Sequence, residues 1–109
     1  MKRNGETTIK TIREVLTAAR ALLDERGWAQ SKYQSRDGRV CAAEAILLAM
    51  RRLHGGEESR AALGQRAIVE FEKAAGTDSI MRWNDDPNRT RDEVRGVFTQ
   101  SILAQHKGA

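Results

Sequence analysis

The sequence predicts an all-α fold, a small single-domain bundle of four main helices plus a short helical turn. Apolar residues recur at three- and four-residue steps in four segments, which is the period of an amphipathic helix. Aromatic residues are few, with two Trp, one Tyr and two Phe, whereas strands favour aromatic residues. Charged residues make up 31% of the 109 positions. We therefore expect one helical domain over residues 1–109, with frayed ends at 1–6 and 105–109.

The first helix has the clearest period. Gly27 follows its last apolar position and is expected to end it in the left-handed conformation, so that Trp28 folds back onto Leu23. Thr7 or Thr8 is the expected N-cap. The apolar stripe comprises Ile9, Ile12, Val15, Leu16, Ala19, Leu22 and Leu23.

The segment that follows, residues 28–40, has no helical period. Asp37 and Gly38 form a strong turn pair between two short stretches. A short β-hairpin over 28–40 and an ordered loop are both compatible with this pattern.

Two helices are predicted in the middle of the chain, at about residues 41–54 and 59–75. The first of these is apolar around most of its circumference, because Leu47 and Leu48 lie outside its main stripe. Such a pattern is typical of a buried helix. We expect this helix to be the central one.

The C-terminal part is predicted to hold a short helical turn and a last helix. Asp78 or Ser79 is expected to cap the turn at 79–84. Thr90 and Glu93 have the spacing of a capping box at the start of the last helix. The stripe of that helix comprises Val94, Val97, Phe98 and Ile102.

Cys41, the only cysteine, is the one candidate catalytic residue. A helix N-terminus lowers the pKa of a thiol, and Arg39 would lower it further. A nucleophile also needs a base within hydrogen-bond reach, but His54 lies about 20 Å away along a helix. Because free cysteine usually packs as a small hydrophobe, a structural role is favoured over a cysteine-dependent enzyme.

A second group of residues surrounds the WND segment, residues 83–85, and the DGR segment, residues 37–39. These side chains could form a polar pocket or stack a base, or serve only to order two turns. The structural arrangement would pair Arg39 with Asp85 and bond Asn84 to the backbone of the 28–40 segment. The candidate binding residues are Trp28, Arg39, Trp83, Asn84, Asp85 and Arg89.

Metal, cofactor and membrane binding are not expected. One Cys and two distant His do not supply the four ligands of a structural zinc site, and the DDPN sequence lacks the alternating oxygen ligands of a calcium loop. We see no Gly-rich phosphate loop. No apolar run approaches the roughly 18 residues of a membrane span, which suggests a cytoplasmic protein.

Four short motifs resemble an uncharacterised family of small helical proteins from bacteria and phages. They are G-W at 27–28, D-G-R-V-C-A at 37–42, S-I-x-x-W-N-D at 79–85, and R-T with E-V following at 89–94. The similarity covers roughly residues 22–104. It implies one mainly helical domain and carries no known activity.

The favoured function is a non-enzymatic protein-binding or regulatory module of a bacterium or phage, acting on a protein partner or through self-association. A nucleic-acid-associated protein is an alternative, because residues 1–55 hold eleven Lys and Arg against six Asp and Glu. An excess of positive charge in one half points to an anionic partner. The cysteine-dependent enzyme is the third alternative.

Overall fold

The structure is a computed structural model that describes residues 4–30, 37–53 and 57–107. It confirms the all-α fold with four main helices and one short one. The helices α1 and α5 include residues 4–6 and 105–107, within the segments that the sequence predicted to fray. The elements are α1 (Asn4–Arg26), α2 (Ala42–Leu53), α3 (Glu57–Ala75), α4 (Ile80–Asn84) and α5 (Arg91–Lys107).

Helix α1 occupies the centre of the bundle, packing against α2, α3 and α5. Its 23 residues, against 12 in α2, give it the length to contact three long neighbours. The prediction that α2 is the central helix is wrong, since α2 packs against α1, α3 and α4 and ends at Leu53, which is 47% exposed. Over residues 11–26, where side-chain burial is described, the buried side chains of α1 are Ile12, Val15, Leu16, Ala19, Leu22 and Leu23.

The end of α1 follows the sequence prediction. Gly27 has φ +89°, and its N–H donates to the carbonyl of Leu23 over 2.9 Å, which is the single hydrogen bond of the αL capping motif. Trp28 then packs, partly buried, against the core. At the other end α1 begins at Asn4, so neither predicted threonine is the N-cap. Local cap preference does not decide a boundary when the helix continues for another turn.

The connection between α1 and α2 forms one isolated parallel bridge, between Trp28 and Val40. The N–H of Ala29 donates to the Val40 carbonyl, and the N–H of Val40 donates to the Gly27 carbonyl, both over 3.0 Å. A hairpin requires an antiparallel ladder, so the described ends of this segment do not form the hairpin considered from the sequence. Residues 31–36 lie outside the described residues. The bridge brings the start of α2 beside the end of α1.

Aromatic side chains join α3, α4 and α5. The ring of Phe71 lies 4.7 Å from that of Phe98 and 5.5 Å from that of Trp83, both edge to face. Such pairs stabilise by about 0.5–1.5 kcal/mol beyond the area they bury. Trp83 therefore anchors the short helix α4 to the core.

The predicted caps of α4 and α5 are present. The Ser79 hydroxyl accepts the N–H of Arg82 at 3.2 Å, which makes Ser79 the N-cap of α4. The Thr90 hydroxyl accepts the N–H of Glu93 at 3.2 Å, while the Glu93 carboxylate accepts the N–H of Thr90 at 2.9 Å. This reciprocal pair is a capping box.

An ion-pair cluster joins α1 to α5 on the surface. Asp24 lies 3.0 Å from Arg95 and 3.5 Å from Arg91. The hydrogen bond to Asp24 raises the pKa of the Arg95 guanidinium above its usual value. Exposed pairs of this kind contribute little to stability because water and salt screen them, so the apolar core decides how these helices pack.

Candidate functional site

Asn84, the last residue of α4, is 1% exposed and its amide group bonds to three segments. Its Oδ1 accepts the indole N–H of Trp28 at 2.8 Å and the backbone N–H of Ala42 at 3.0 Å. Its Nδ2 donates to the carbonyl of Ala29 at 3.2 Å and to Asp85 at 3.0 Å. These four bonds use the full capacity of an amide side chain. The predicted bond from Asn84 to the backbone of the 28–40 segment is confirmed.

The N-terminus of α2 is capped by two residues. The Cys41 carbonyl accepts the N–H of Ala45 at 3.0 Å, and its Sγ accepts the N–H of Glu44 at 3.4 Å. Asn84 accepts the N–H of Ala42 from across the fold. Sulfur is a weak acceptor, so the amide oxygen of Asn84 completes a cap that Cys41 makes only weakly. Cys41 therefore has a structural role at this helix start.

The environment of Cys41 is the opposite of one that activates a thiol. The residue is partly buried, and this burial raises the pKa of its thiol. Hydrogen bonds from the backbone N–H groups of Glu44 and Ala43 lower the pKa by less than burial raises it, and the nearby carboxylates of Glu44 and Asp85 add a smaller increase. An activated cysteine needs a lowered pKa. The side chain of His54 lies outside the described residues.

Trp83 and Arg89 bind each other. The guanidinium carbon of Arg89 lies 3.9 Å from the centre of the Trp83 ring, within the range of a cation–π contact. Arg89 Nε also donates to the Trp83 carbonyl over 2.9 Å. Its terminal nitrogens lie 3.8 Å from Asp86 and 3.7 Å from Glu93. With a side chain only 17% exposed, Arg89 orders the turn that connects α4 to α5.

The predicted pair between Arg39 and Asp85 is wrong. Arg39 Nε lies 3.1 and 3.0 Å from the two carboxylate oxygens of Asp37. The two side chains are 51% and 61% exposed. A partner two residues away in the same turn needs less ordering of the chain than a partner on another segment. Asp85 instead accepts a hydrogen bond from Asn84.

The sequence analysis did not identify Gln30 and Glu72, whose side chains form hydrogen bonds with the backbone of α4 and of the turn that follows it. Gln30 Nε2 donates to the backbone carbonyls of Asn84 and Asp86, at 3.2 and 2.5 Å. The Glu72 carboxylate accepts the N–H of Ile80 over 2.9 Å, at the start of α4. A surface Gln or Glu carries no pattern that predicts a backbone partner. Only the approach of α3 and of the Trp28 segment to α4 creates these bonds.

A groove runs along the surface between α1 and α2. It consists of two adjoining cavities of about 390 and 290 Å³, which share Ala18, Ala21 and Leu53. We call these two cavities the α1–α2 groove. Of the seven described residues that line the smaller cavity, five are apolar: the three shared residues together with Leu22 and Ala49. The groove therefore presents a mainly apolar floor to solvent.

Charged side chains stand at both ends of the α1–α2 groove. Arg13 and Glu14 line the larger cavity at one end. Glu25 and Arg52 line the smaller cavity at the other. Among the lining side chains that the structure describes, each end thus carries one positive and one negative side chain.

A further cavity of about 640 Å³ lies along α4 and the following turn. Three of its five lining residues are charged, and among these Arg82 pairs with Asp78 at 3.2 Å and Asp86 with Arg89. It offers Met81 and Pro87 as apolar surface.

Among the side chains that the structure describes, no three of His, Cys, Asp and Glu lie close enough to bind one metal ion. Within the described ranges, each helix is too short or too polar to cross a bilayer.

The chain is similar to a family of proteins whose function is unknown. The model of a family of unknown function, DUF6197, matches residues 7–103. No curated protein and no solved structure matches the chain. The match extends further towards the N-terminus than the motifs from which the sequence resemblance was drawn, and it includes all of the candidate binding residues.

Proposed function

Since the chain belongs to the DUF6197 family, whose function is unknown, we propose from its geometry that it is a non-enzymatic binding module. A protein partner docks in the α1–α2 groove. The observation that carries this proposal is the exposed Leu53 at the junction of two adjoining cavities. The bacterial or phage origin and the cytoplasmic location predicted from the sequence belong to the same proposal.

The energetic argument begins with exposed apolar surface. Single exposed apolar residues are ordinary, but contiguous apolar surface in a concave site is typical of an interface. Leu53 lies beside Ala18 and Ala21, so a partner side chain can cover all three at once. Burying a leucine side chain fully stabilises by about 1.5–3 kcal/mol. Because Leu53 is half-buried in the free protein, a partner that covers the rest of its side chain can gain part of that free energy.

The contacts of the candidate binding residues also favour partner binding at the α1–α2 groove, because the polar groups of Asn84 and Arg89 are already bonded within the fold. The side-chain amide of Asn84 forms hydrogen bonds with Trp28, Ala29, Ala42 and Asp85. The guanidinium of Arg89 contacts the Trp83 ring and two carboxylates. A ligand at this cluster would have to break bonds that hold the fold together. We therefore assign the cluster a structural role and place partner binding at the groove.

Site-specific photo-crosslinking tests the proposal. A photoreactive amino acid replaces Ala21 in the groove or, as the control, Gln100 on the exposed side of α5. Each protein is irradiated in an extract of the organism that encodes it. We expect a discrete protein adduct from position 21 that position 100 does not give, and mass spectrometry then identifies the protein.

A matched pair of leucine variants makes the assay specific. Leu53→Glu places a charge in the groove, whereas Leu103→Glu places one on α5 at a leucine that is 58% exposed. The adduct should be lost in the first variant and retained in the second. An adduct that forms equally with Leu53→Glu, or no adduct from position 21, would contradict the proposal.

A further inference from the structure

We propose that Asp37 is a site of spontaneous isomerisation to isoaspartate, and that the side chain of Arg39 slows the reaction. Water is the co-reactant, and the intermediate is a cyclic imide formed between Asp37 and the main chain of Gly38. This modification is separate from partner binding at the α1–α2 groove and does not depend on it. It is carried by the geometry of the turn that precedes α2.

The turn leaves the peptide between Asp37 and Gly38 free to rearrange. This is the only Asp-Gly pair of the sequence, and the Asp37 side chain is 61% exposed, so water reaches it. Gly38 has φ +88°, which glycine adopts without strain. No described atom lies within 4 Å of the place where a Cβ of Gly38 would be. Neither a side chain nor the described surroundings therefore crowd the nitrogen of Gly38.

The chemistry needs only these two residues and water. The main-chain nitrogen of Gly38 attacks Cγ of Asp37 and closes a five-membered imide ring. The carboxyl group takes a proton from solvent and loses one oxygen as water, together with the amide proton. Water then opens the ring at either carbonyl carbon. Opening at the main-chain carbonyl breaks its bond to the Gly38 nitrogen and leaves the chain running through the former side chain, which is isoaspartate.

Arg39 holds the carboxylate in a position that does not lead to the imide. Its Nε lies 3.1 and 3.0 Å from the two carboxylate oxygens of Asp37. Its main-chain N–H donates to Oδ1 of Asp37 at 3.3 Å, and this nitrogen is one residue beyond the nitrogen that must attack. Ring closure has to break these bonds. Because the pair is exposed on both sides, it slows the reaction only modestly.

Isomerisation acts on a part of the fold that joins two helices. Isoaspartate adds one carbon atom to the main chain at position 37. Three residues later, the N–H of Val40 donates to the Gly27 carbonyl over 3.0 Å, and the Val40 side chain is fully buried. The modification therefore alters the chain beside the bridge that brings the start of α2 to the end of α1.

The test compares two aspartates of the same folded protein. The chain is incubated at neutral pH in water enriched in a heavy oxygen isotope, because each imide that opens takes up one oxygen from water. Asp78 is the internal control. Its side chain is 90% exposed, but the N–H of Ser79, whose nitrogen would have to attack, donates to the Thr77 hydroxyl at 3.1 Å.

Peptide mapping by mass spectrometry locates the heavy oxygen and the isoaspartate. We expect both at position 37 and much less of either at position 78, although Asp78 is the more exposed of the two. Asp37→Glu keeps the carboxylate but would need a larger ring, so it should abolish the labelling at position 37. Equal labelling of the two positions, or none at position 37, would overturn the assignment of the site.

Arg39→Ala tests the role of the guanidinium. Labelling at position 37 relative to position 78 should rise by about two- to fivefold, which is the rate change that corresponds to the loss of an exposed ion pair. Taking the ratio within one protein separates this effect from general loosening of the fold, which would raise labelling at both positions. Circular dichroism shows that the variant is folded. An unchanged ratio would show that Arg39 does not slow the reaction.

Discussion

The indole N–H of Trp28 donates to Oδ1 of Asn84 over 2.8 Å, and the same oxygen accepts the N–H of Ala42 over 3.0 Å. A single buried oxygen thus connects the second residue after α1, the first residue of α2 and the last residue of α4. Buried polar groups that lose a partner cost more than the bond itself contributed. This arrangement makes the connection between the three helices sensitive to one side chain.

Replacing Asn84 should therefore cost more than replacing any other polar residue of its turn. Asn84→Ala leaves the buried N–H of Ala42 and the carbonyl of Ala29 without their partner, and we expect a loss of about 3–5 kcal/mol. Asn88→Ala, an exposed asparagine four residues on, is the matched control and should stay within about 0.5 kcal/mol. Urea unfolding measures both. Equal losses of unfolding free energy in the two variants would show that the Asn84 amide does not hold the three helices together.

The contribution of the Trp28 hydrogen bond can be isolated from that of the ring. Trp28→Phe keeps an aromatic side chain but removes the N–H donor to Asn84, so a loss of about 1–2 kcal/mol is expected. Combined with Asn84→Ala, the loss should be smaller than the sum of the two by at least about 0.5 kcal/mol. A strictly additive double variant would mean that the indole N–H contributes nothing through Asn84.

Arg89 is expected to act on stability through Trp83. Arg89→Met retains an unbranched stem but removes the cation–π contact and the bond to the Trp83 carbonyl, which should cost about 2 kcal/mol. Arg82→Met removes an exposed arginine that pairs with Asp78 and serves as the control. Thermal and urea unfolding of the two variants should differ clearly, and a neutral Arg89→Met would leave that guanidinium available for a ligand.

The thiol of Cys41 should make the free energy of unfolding decrease as pH rises through the alkaline range. Burial raises the pKa of its thiol in the folded protein relative to the unfolded value of about 8.5. Its contribution is complete below the unfolded pKa and is lost as pH rises through the folded pKa. The free energy of unfolding of the wild type should therefore fall more than that of Cys41→Ala between about pH 8 and pH 10.

Alkylation of the same thiol gives an independent check. Iodoacetamide should modify Cys41 slowly in the native protein at neutral pH and much faster once denaturant is added, because only an accessible thiolate reacts. Rapid native alkylation at neutral pH would instead restore the cysteine-dependent enzyme as a candidate.

Arg39 should contribute little to stability. Its pair with Asp37 is exposed on both sides, so Arg39→Ala is expected to cost no more than about 1 kcal/mol. A double-mutant cycle with Asp85→Ala should show no coupling above about 0.5 kcal/mol. Strong coupling would indicate that the two residues form a pair in solution after all.

Local rules predicted the helices and their caps because the interactions involved lie within about four residues. Gly27, Ser79 and the Thr90–Glu93 box occupy the cap positions expected of them. The same reasoning placed Thr7 or Thr8 at the start of α1 and missed the further turn to Asn4. Boundaries depend on whether the next turn gains any packing, which a cap preference does not include.

The amino-acid pattern thus predicted the helical segments, their apolar faces and the short helical turn that the structure shows as α4. Only the tertiary structure decided that α1 is central, that Arg39 pairs with Asp37, and that Asn84 meets Trp28 from 56 positions away. A helical period shows which face is buried but not which helix covers it. A polar side chain likewise has several possible partners, and the packed backbone selects among them by bringing one donor or acceptor within 3 Å.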